Sequence, residues 1–535
     1  MENFLATETL IIELLLIVSL VALAVRRLRI PYTVALVVVG LLITFQQPLD
    51  FELTPELILS LFIPPLVFEA AFHLEFKSLR ENWLPIVSLA IPGVLVTTFI
   101  VGVIVSWGVG ISLTSGLVFG ALIAATDPVA VVSLFKALGA PKRLATLVES
   151  ESLFNDGTAI VVFKLLLAVA LSAAVGNAGE AGESFDFLTA TVDFFRVSAG
   201  GLLVGVGLGW VIAQIIARVD DYLIETMLTT VLAFGAYLVA ERFHVSGVLA
   251  VVAAGIITGN IGLKGMSPTT RIVLFNFWEF LAFVANSLVF LLIGLDVNLR
   301  EIGANIVPIS IALVAVLLSR ALVVYGLTAL TNLRTGNKVP IAYRHVLFWG
   351  GLRGAISLAL ALSLPLALAE RELLRVMTFG VVLFTLLAQG TTMQLLMKRL
   401  GLGVAPALEL EYERRHGRLI AAQAAFRRIE EMFQANLFSL TIWQQMEPEL
   451  RKQIEDALAA QNELLEKHPE LQVEEREDAL MESLNAQRAA LSTMLGSGLI
   501  SDAVYEELVT EVDHALENIT RGAKSVAGDE ARQAA

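Results

Sequence analysis

Charged residues stand in several otherwise apolar stretches, among them Glu69 in FIPPLVFEAAF, Asp127 in FGALIAATDPVAVVSLF, Glu151 and Asp156 in SESLFNDGTAIVVF, Arg320 in VAVLLSRALVVY and Arg353 in FWGGLRGAISLAL. An ionisable group in such surroundings is costly, so each is a functional candidate. Ser152 and Asp156 are four apart and share one face of a helix, while Glu151 and Asn155 form a second pair rotated by one position. A carboxylate with a hydroxyl one turn away suits a partly dehydrated hard cation. With no His/Cys cluster, and no cysteine in the chain at all, a transition-metal site is disfavoured.

Thr126-Asp127-Pro128 adds a break. Proline lacks an amide donor and clashes with the carbonyl four residues back, so the helix should unwind here. An unwound stretch at membrane depth must face protein or a water-filled cavity, where it offers free carbonyls and half-helix ends. In the plainer reading, Asp127 simply caps the half-helix that follows; the two are compatible. Gly350-Gly351-Leu352-Arg353-Gly354 is a second stretch that need not stay helical, and its arginine can neutralise the C-terminal ends of broken half-helices. Arg320 can pair with Glu151, since an unpaired buried charge costs several kcal/mol, roughly 3–5. Glu69 reads equally as a site acid or as a structural one.

The elements that must carry these residues are transmembrane helices. Of 535 residues, 56% are hydrophobic and 16% charged, with a mean hydropathy of +0.76. Thirteen spans are expected, near residues 8–25, 31–45, 55–73, 84–107, 114–138, 144–172, 190–216, 223–240, 245–260, 271–296, 304–330, 341–364 and 373–399. Alternate links carry the bases, from Arg26, Arg27 and Arg29 to Lys398 and Arg399, which puts the N-terminus outside and the C-terminal tail in the cytoplasm. The acidic start and the basic residues after the first apolar run read as a first span rather than a cleavable signal. Asp127 lies in the fifth span and Arg353 in the twelfth. That odd offset makes them counterparts in an inverted repeat whose two broken helices cross at the midplane.

Residues 402–535 differ in kind. They hold 13 Lys+Arg against 25 Asp+Glu, while residues 1–401 hold 24 against 26. So acidic a tail argues against nucleic acid and against lying on an anionic leaflet. Helical periodicity is expected at Arg414–Phe433, Pro448–Lys467, Glu475–Met494 and Ser501–Asn518.

The run ATDPVAVVSLFKALGAPKRLATLVESESLFNDGTAIVVF, with FIPPLVFEAAFHLEF before it and FWGGLRGAISLAL after it, resembles the NhaP-type bacterial sodium/proton antiporters, relatives of the eukaryotic sodium/proton exchangers. The resemblance covers roughly residues 10–400 and implies an all-α, thirteen-helix NhaA-like fold, a homodimer and an elevator-like movement. It implies that Asp156 is the essential ion- and proton-binding carboxylate. Asp127, Ser152 and the Thr126 carbonyl would complete a Na⁺ site that Glu69 closes, and Glu151, Arg320 and Arg353 would be structural ion pairs. Asn155 stands where electrogenic relatives carry a second Asp.

These readings converge on exchange of Na⁺, or Li⁺ or K⁺, for H⁺ at one carboxylate. Electroneutral 1:1 turnover in a cell membrane is expected, with no cofactor. The rivals are a cation channel, though no filter-like pore loop is visible; a transporter-like sensor signalling through the tail; and an intramembrane aspartyl protease, for which neither Asp has a GxGD setting.

Overall fold

Apolar runs punctuated by proline, glycine and basic links fold into helices in the computed structural model. It describes residues 2–28, 32–46, 58–175, 187–219, 221–264, 266, 268–296, 299–334, 337–402, 407–497, 499–501, 503–512 and 515. The side chains of Arg26, Arg27 and Arg29, the links near 47–57 and 176–186, and the end of the last expected tail helix lie outside the described residues.

In chain order the helices are α1 (Glu2–Leu28), α2 (Tyr32–Gln46), α3 (Ile63–His73), α4 (Phe76–Glu81), α5 (Trp83–Ala90), α6 (Pro92–Val105), α7 (Leu113–Ala124), α8 (Val129–Leu138), α9 (Lys142–Val175), α10 (Phe187–Ile216) and α11 (Tyr222–Arg242). They continue as α12 (Gly247–Asn260), α13 (Pro268–Asp296), α14 (Leu299–Ala304), α15 (Ile306–Asn332), α16 (Ile341–Trp349), α17 (Ala355–Leu362), α18 (Arg371–Phe384) and α19 (Thr391–Arg399). Among the described residues, seven helical segments are long and apolar enough to cross a membrane, including Lys142–Ser172, Ile306–Asn332 and Arg371–Arg399, and five shorter apolar helices accompany them.

Two packed groups emerge. One joins α5–α9 with α15–α19; the other joins α1–α3 with α10–α13. Small residues allow close approach within each: a Cβ on Gly120 of α7 would sit 2.3 Å from the Thr98 carbonyl of α6, and one on Gly205 of α10 would sit 2.1 Å from the Ala250 carbonyl of α12. Packing between the groups is thinner and runs mainly along α9 and α17.

The chain divides into two compact units, residues 1–404 and 405–535. In the second, α20 (Ala407–Gln434) and α21 (Leu440–Lys467) form an antiparallel hairpin, followed by α22 (Pro469–Gly496). Pro448 lies inside α21 instead of starting it. The helix reaches back to Leu440 because Trp443 stacks on Phe433 at 5.0 Å and packs near Phe426 at 6.0 Å, which offsets the missing proline donor.

Candidate functional site

Both expected breaks are present, and they meet. Ala125–Pro128 separate α7 from α8, and Gly350–Gly354 separate α16 from α17. The Asp127 amide donates to the Leu352 carbonyl at 2.8 Å, tying one break to the other.

Each interrupted helix leaves carbonyls without intrahelical donors, and an arginine answers each set. Arg353, 1% exposed, donates to the Ala124 and Ala125 carbonyls at 2.7 and 3.0 Å, at the C-terminal end of α7. Arg320 donates to the Leu347 carbonyl at 2.9 Å near the end of α16 and binds Glu151 through two bonds of 2.7 and 3.0 Å. The Glu151–Arg320 pair is buried on both sides, and its bidentate geometry is the form in which a buried ion pair best offsets desolvation. The two arginines thus act at helix ends in a reciprocal way, as the macrodipole favours.

Asp127 serves the opposite ends. Its Oδ1 accepts from the Val129 amide at 3.0 Å, capping α8, and its Oδ2 lies against Gly354 just before α17. A Cβ on Gly354 would come within 2.0 Å of that oxygen, so only glycine lets the two breaks approach this closely. The Arg353 amide is satisfied by the Thr385 hydroxyl at 3.2 Å, where the Arg371–Arg399 segment loosens into a π-turn, Thr385–Gly390.

Asp156 sits beside this crossing on α9, 8% exposed, with its Oδ1 meeting no protein donor. The Ser152 hydroxyl donates to the Thr126 carbonyl. The Asn155 amide spans Thr126 Oγ1 and Glu151 Oε1, each at 3.3 Å, and so links the site to the ion pair. Thr126, Asp127, Ser152 and Asp156 line one cavity of about 80 Å³. The donors are carboxylate, hydroxyl and carbonyl oxygens, a set that suits a hard cation.

Glu69 is the expected site residue that the structure does not bring to this cavity. α3 contributes Ile63, Leu66, Val67 and Ala70 to the lining, and Glu69 falls off that face. Its carboxylate lies 3.4 Å from Nδ1 of His73. Three polar lining residues were given no role from the sequence: Glu149, Asn286 and Ser357. Glu149 carried a signal, because Glu149, Ser152 and Asp156 follow an i, i+3, i+7 stripe on α9. Ser357 is one turn after Arg353. Asn286 had no local signal, as it is one polar residue in the long helix α13.

Crossed broken helices around a buried carboxylate, within a polytopic helical bundle, define a secondary transporter of the inverted-repeat kind. The chain belongs to the sodium/hydrogen exchanger family, whose model, described as "Sodium/hydrogen exchanger, transmembrane", matches residues 14–399. It is 42% identical over 402 residues to the Na⁺/H⁺ antiporter ApNhaP of Aphanothece halophytica, covering 75% of each chain. It is 36% identical over 495 residues to the Na⁺/H⁺ antiporter NhaG of Bacillus atrophaeus, covering 90% of this chain and 92% of that one. In fold it is similar to the sodium proton antiporter MjNhaP1 of Methanocaldococcus jannaschii, with a TM-score of 0.61 at 21% identity over 75% of this chain and 99% of that one.

Proposed function

We propose that this chain exchanges Na⁺, or a related monovalent cation, for H⁺ by competition at Asp156. One observation carries the reading: a buried carboxylate oxygen of Asp156 with no protein donor lies at a cavity that Thr126, Asp127 and Ser152 also line, where two broken helices cross. A carboxylate so placed holds either a proton or a cation, hardly both. Only a loaded, neutralised site crosses the barrier between the two sides readily, and competition with alternating access couples the two fluxes.

In this reading Asp156, Asp127, the Ser152 hydroxyl and the Thr126 carbonyl ligate the cation. Glu69, on the helix that lines the opposite wall, joins when α3 shifts against α9. Glu151, Arg320, Arg353 and Asn155 hold the crossing in shape. With Asn155 neutral, one H⁺ leaves for each cation, and turnover is electroneutral. The chain crosses a cell membrane thirteen times, each broken pair counted once, with its N-terminus outside and residues 402–535 in the cytoplasm. It works as a homodimer in pH and sodium homeostasis.

The test uses everted vesicles from a host without its own antiporters, acidified by respiration and followed with a pH-sensitive dye. Na⁺, Li⁺ or K⁺ should collapse the gradient in wild type and leave it standing in Asp156→Asn. If no cation moves protons between about pH 6 and 9, the exchange reading fails, and the channel or sensor reading replaces it.

A further inference from the structure

The cavity at Asp156 extends toward one end of α9 only. Its α9 lining is Glu149, Ser152, Leu153 and Asp156, on the side of Lys142. Past Asp156 the wall closes. A Cβ on Gly157 would fall 2.4 Å from Cδ2 of Leu249 on α12, so the two helix groups are in direct contact there. Two turns beyond Asp156, about 12 Å along the axis, Lys164 Nζ donates to both carboxylate oxygens of Glu241 at 2.9 and 3.1 Å. Lys164 belongs to the group that carries the broken helices, and Glu241 ends α11 in the other group.

We propose that Lys164 and Glu241 form an ion-pair latch that closes the path from Asp156 to the outer side in the orientation proposed above. The present arrangement is then the inward-facing one: the inner route is lined by α3, α9 and α13, and the outer route is shut by the Gly157–Leu249 contact and, above it, by the latch. Opening outward requires the two groups to part along α9, which separates Lys164 from Glu241. The lysine and glutamate side chains are 50% and 36% exposed, and a pair this open is a weak bond. That weakness suits a contact that must break in every cycle. A merely decorative surface pair has the same distances but no bearing on which side of the molecule is accessible.

The inference rests on the alternating-access reading, yet its test does not require transport. The chain has no cysteine, so one introduced thiol is the sole target of a membrane-impermeant maleimide. Leu66→Cys, in the cavity wall, reports the inner route from everted vesicles. Val161→Cys, beside the latch, reports the outer route from intact cells. Lys164→Glu, and more mildly Lys164→Gln, should speed outer labelling and slow inner labelling by about two- to fivefold, the bias a weak exposed pair exerts on a two-state equilibrium. The swapped double variant Lys164→Glu/Glu241→Lys should return both rates to those of the parent, which also shows that the fold survives. Unchanged labelling in the single variants, or a double variant that stays with them, overturns the latch. Failure of wild type to exchange cations for protons would overturn the transport reading and leave the labelling result to stand by itself.

Discussion

At the scale of residues, the buried pair Glu151–Arg320 permits a stability prediction. Both partners are under a tenth exposed, and Arg320 is also the donor to the Leu347 carbonyl. Arg320→Met strands a carboxylate in an apolar bundle and should cost roughly 3–5 kcal/mol, read as a large fall in the detergent-solubilised melting temperature. The double change Arg320→Met/Glu151→Leu should recover more than half of that loss; a double variant no better than the single would mean that the pair has no special cost. The competition proposed at Asp156 supplies a second expectation. Lowering the pH fills the carboxylate with protons, so the apparent KM for Na⁺ should rise as pH falls, approaching about tenfold per unit where one proton dominates. The maximal rate at saturating Na⁺ should change far less. Dye-quench titrations at several pH values measure both, and a pH-independent KM would rule out a shared site. Because Asn155 adds no charge, an imposed membrane potential should leave the exchange rate in proteoliposomes unchanged.

At the scale of elements, the two breaks are one structure. Asp127 caps α8 and abuts Gly354, Arg353 caps α7, and the Asp127–Leu352 backbone bond joins them. Gly354→Ala should therefore lower the melting temperature and abolish exchange, because the added methyl meets a carboxylate oxygen held by its own capping bond. Gly207→Ala is the control. It faces open space within α10, and replacing a mid-helix glycine should stabilise by about 1 kcal/mol with exchange intact. Equal effects at the two positions would deny the crossing its role. Much of this was legible in the chain. Asp127-Pro128 and the Gly350–Gly354 run announce breaks by backbone chemistry alone, and a lone Arg320 in an apolar span demands an acid, which Glu151 supplies. What was not legible depends on packing between distant segments. Glu69 and Ala70 differ by one position, and only the rotation of α3 against α9 decides which faces the cavity. Asn286 reaches the site because α13, 130 residues from Asp156, packs there. Neither rotation nor docking is written in local spacing.

At the scale of the molecule, the proposed site lies in the first unit. The lining residues run from Ile63 to Ser357 and the supporting hydroxyl is Thr385, while the second unit begins at Ala405. The tail has few buried apolar residues, Leu419, Leu464, Leu465 and Val512 among those described. Its hairpin is held by local features: the Phe433–Trp443 stack, and Arg415 donating to Glu411 at 2.9 Å and to the Ala460 carbonyl at 2.5 Å. The hydrogen bond from Arg415 holds the Glu411 carboxyl below its ordinary range. Whatever this contributes to the hairpin is present at neutral pH and fades as acid protonates the carboxylate. Among the described residues, those that line the Asp156 cavity all precede this unit. A chain ending at Val404 should therefore insert, bind and exchange, with the same ranking among Na⁺, Li⁺ and K⁺ as the whole protein, because the ligands proposed above are oxygens between Thr126 and Asp156. Its maximal rate or pH profile is where the tail would register, since an appendage outside the cavity acts on the balance between states rather than on the ligands. Vesicles carrying the two forms at matched abundance separate these effects. A truncated protein that is present in the membrane yet ranks the cations differently would mean that the tail shapes the site itself.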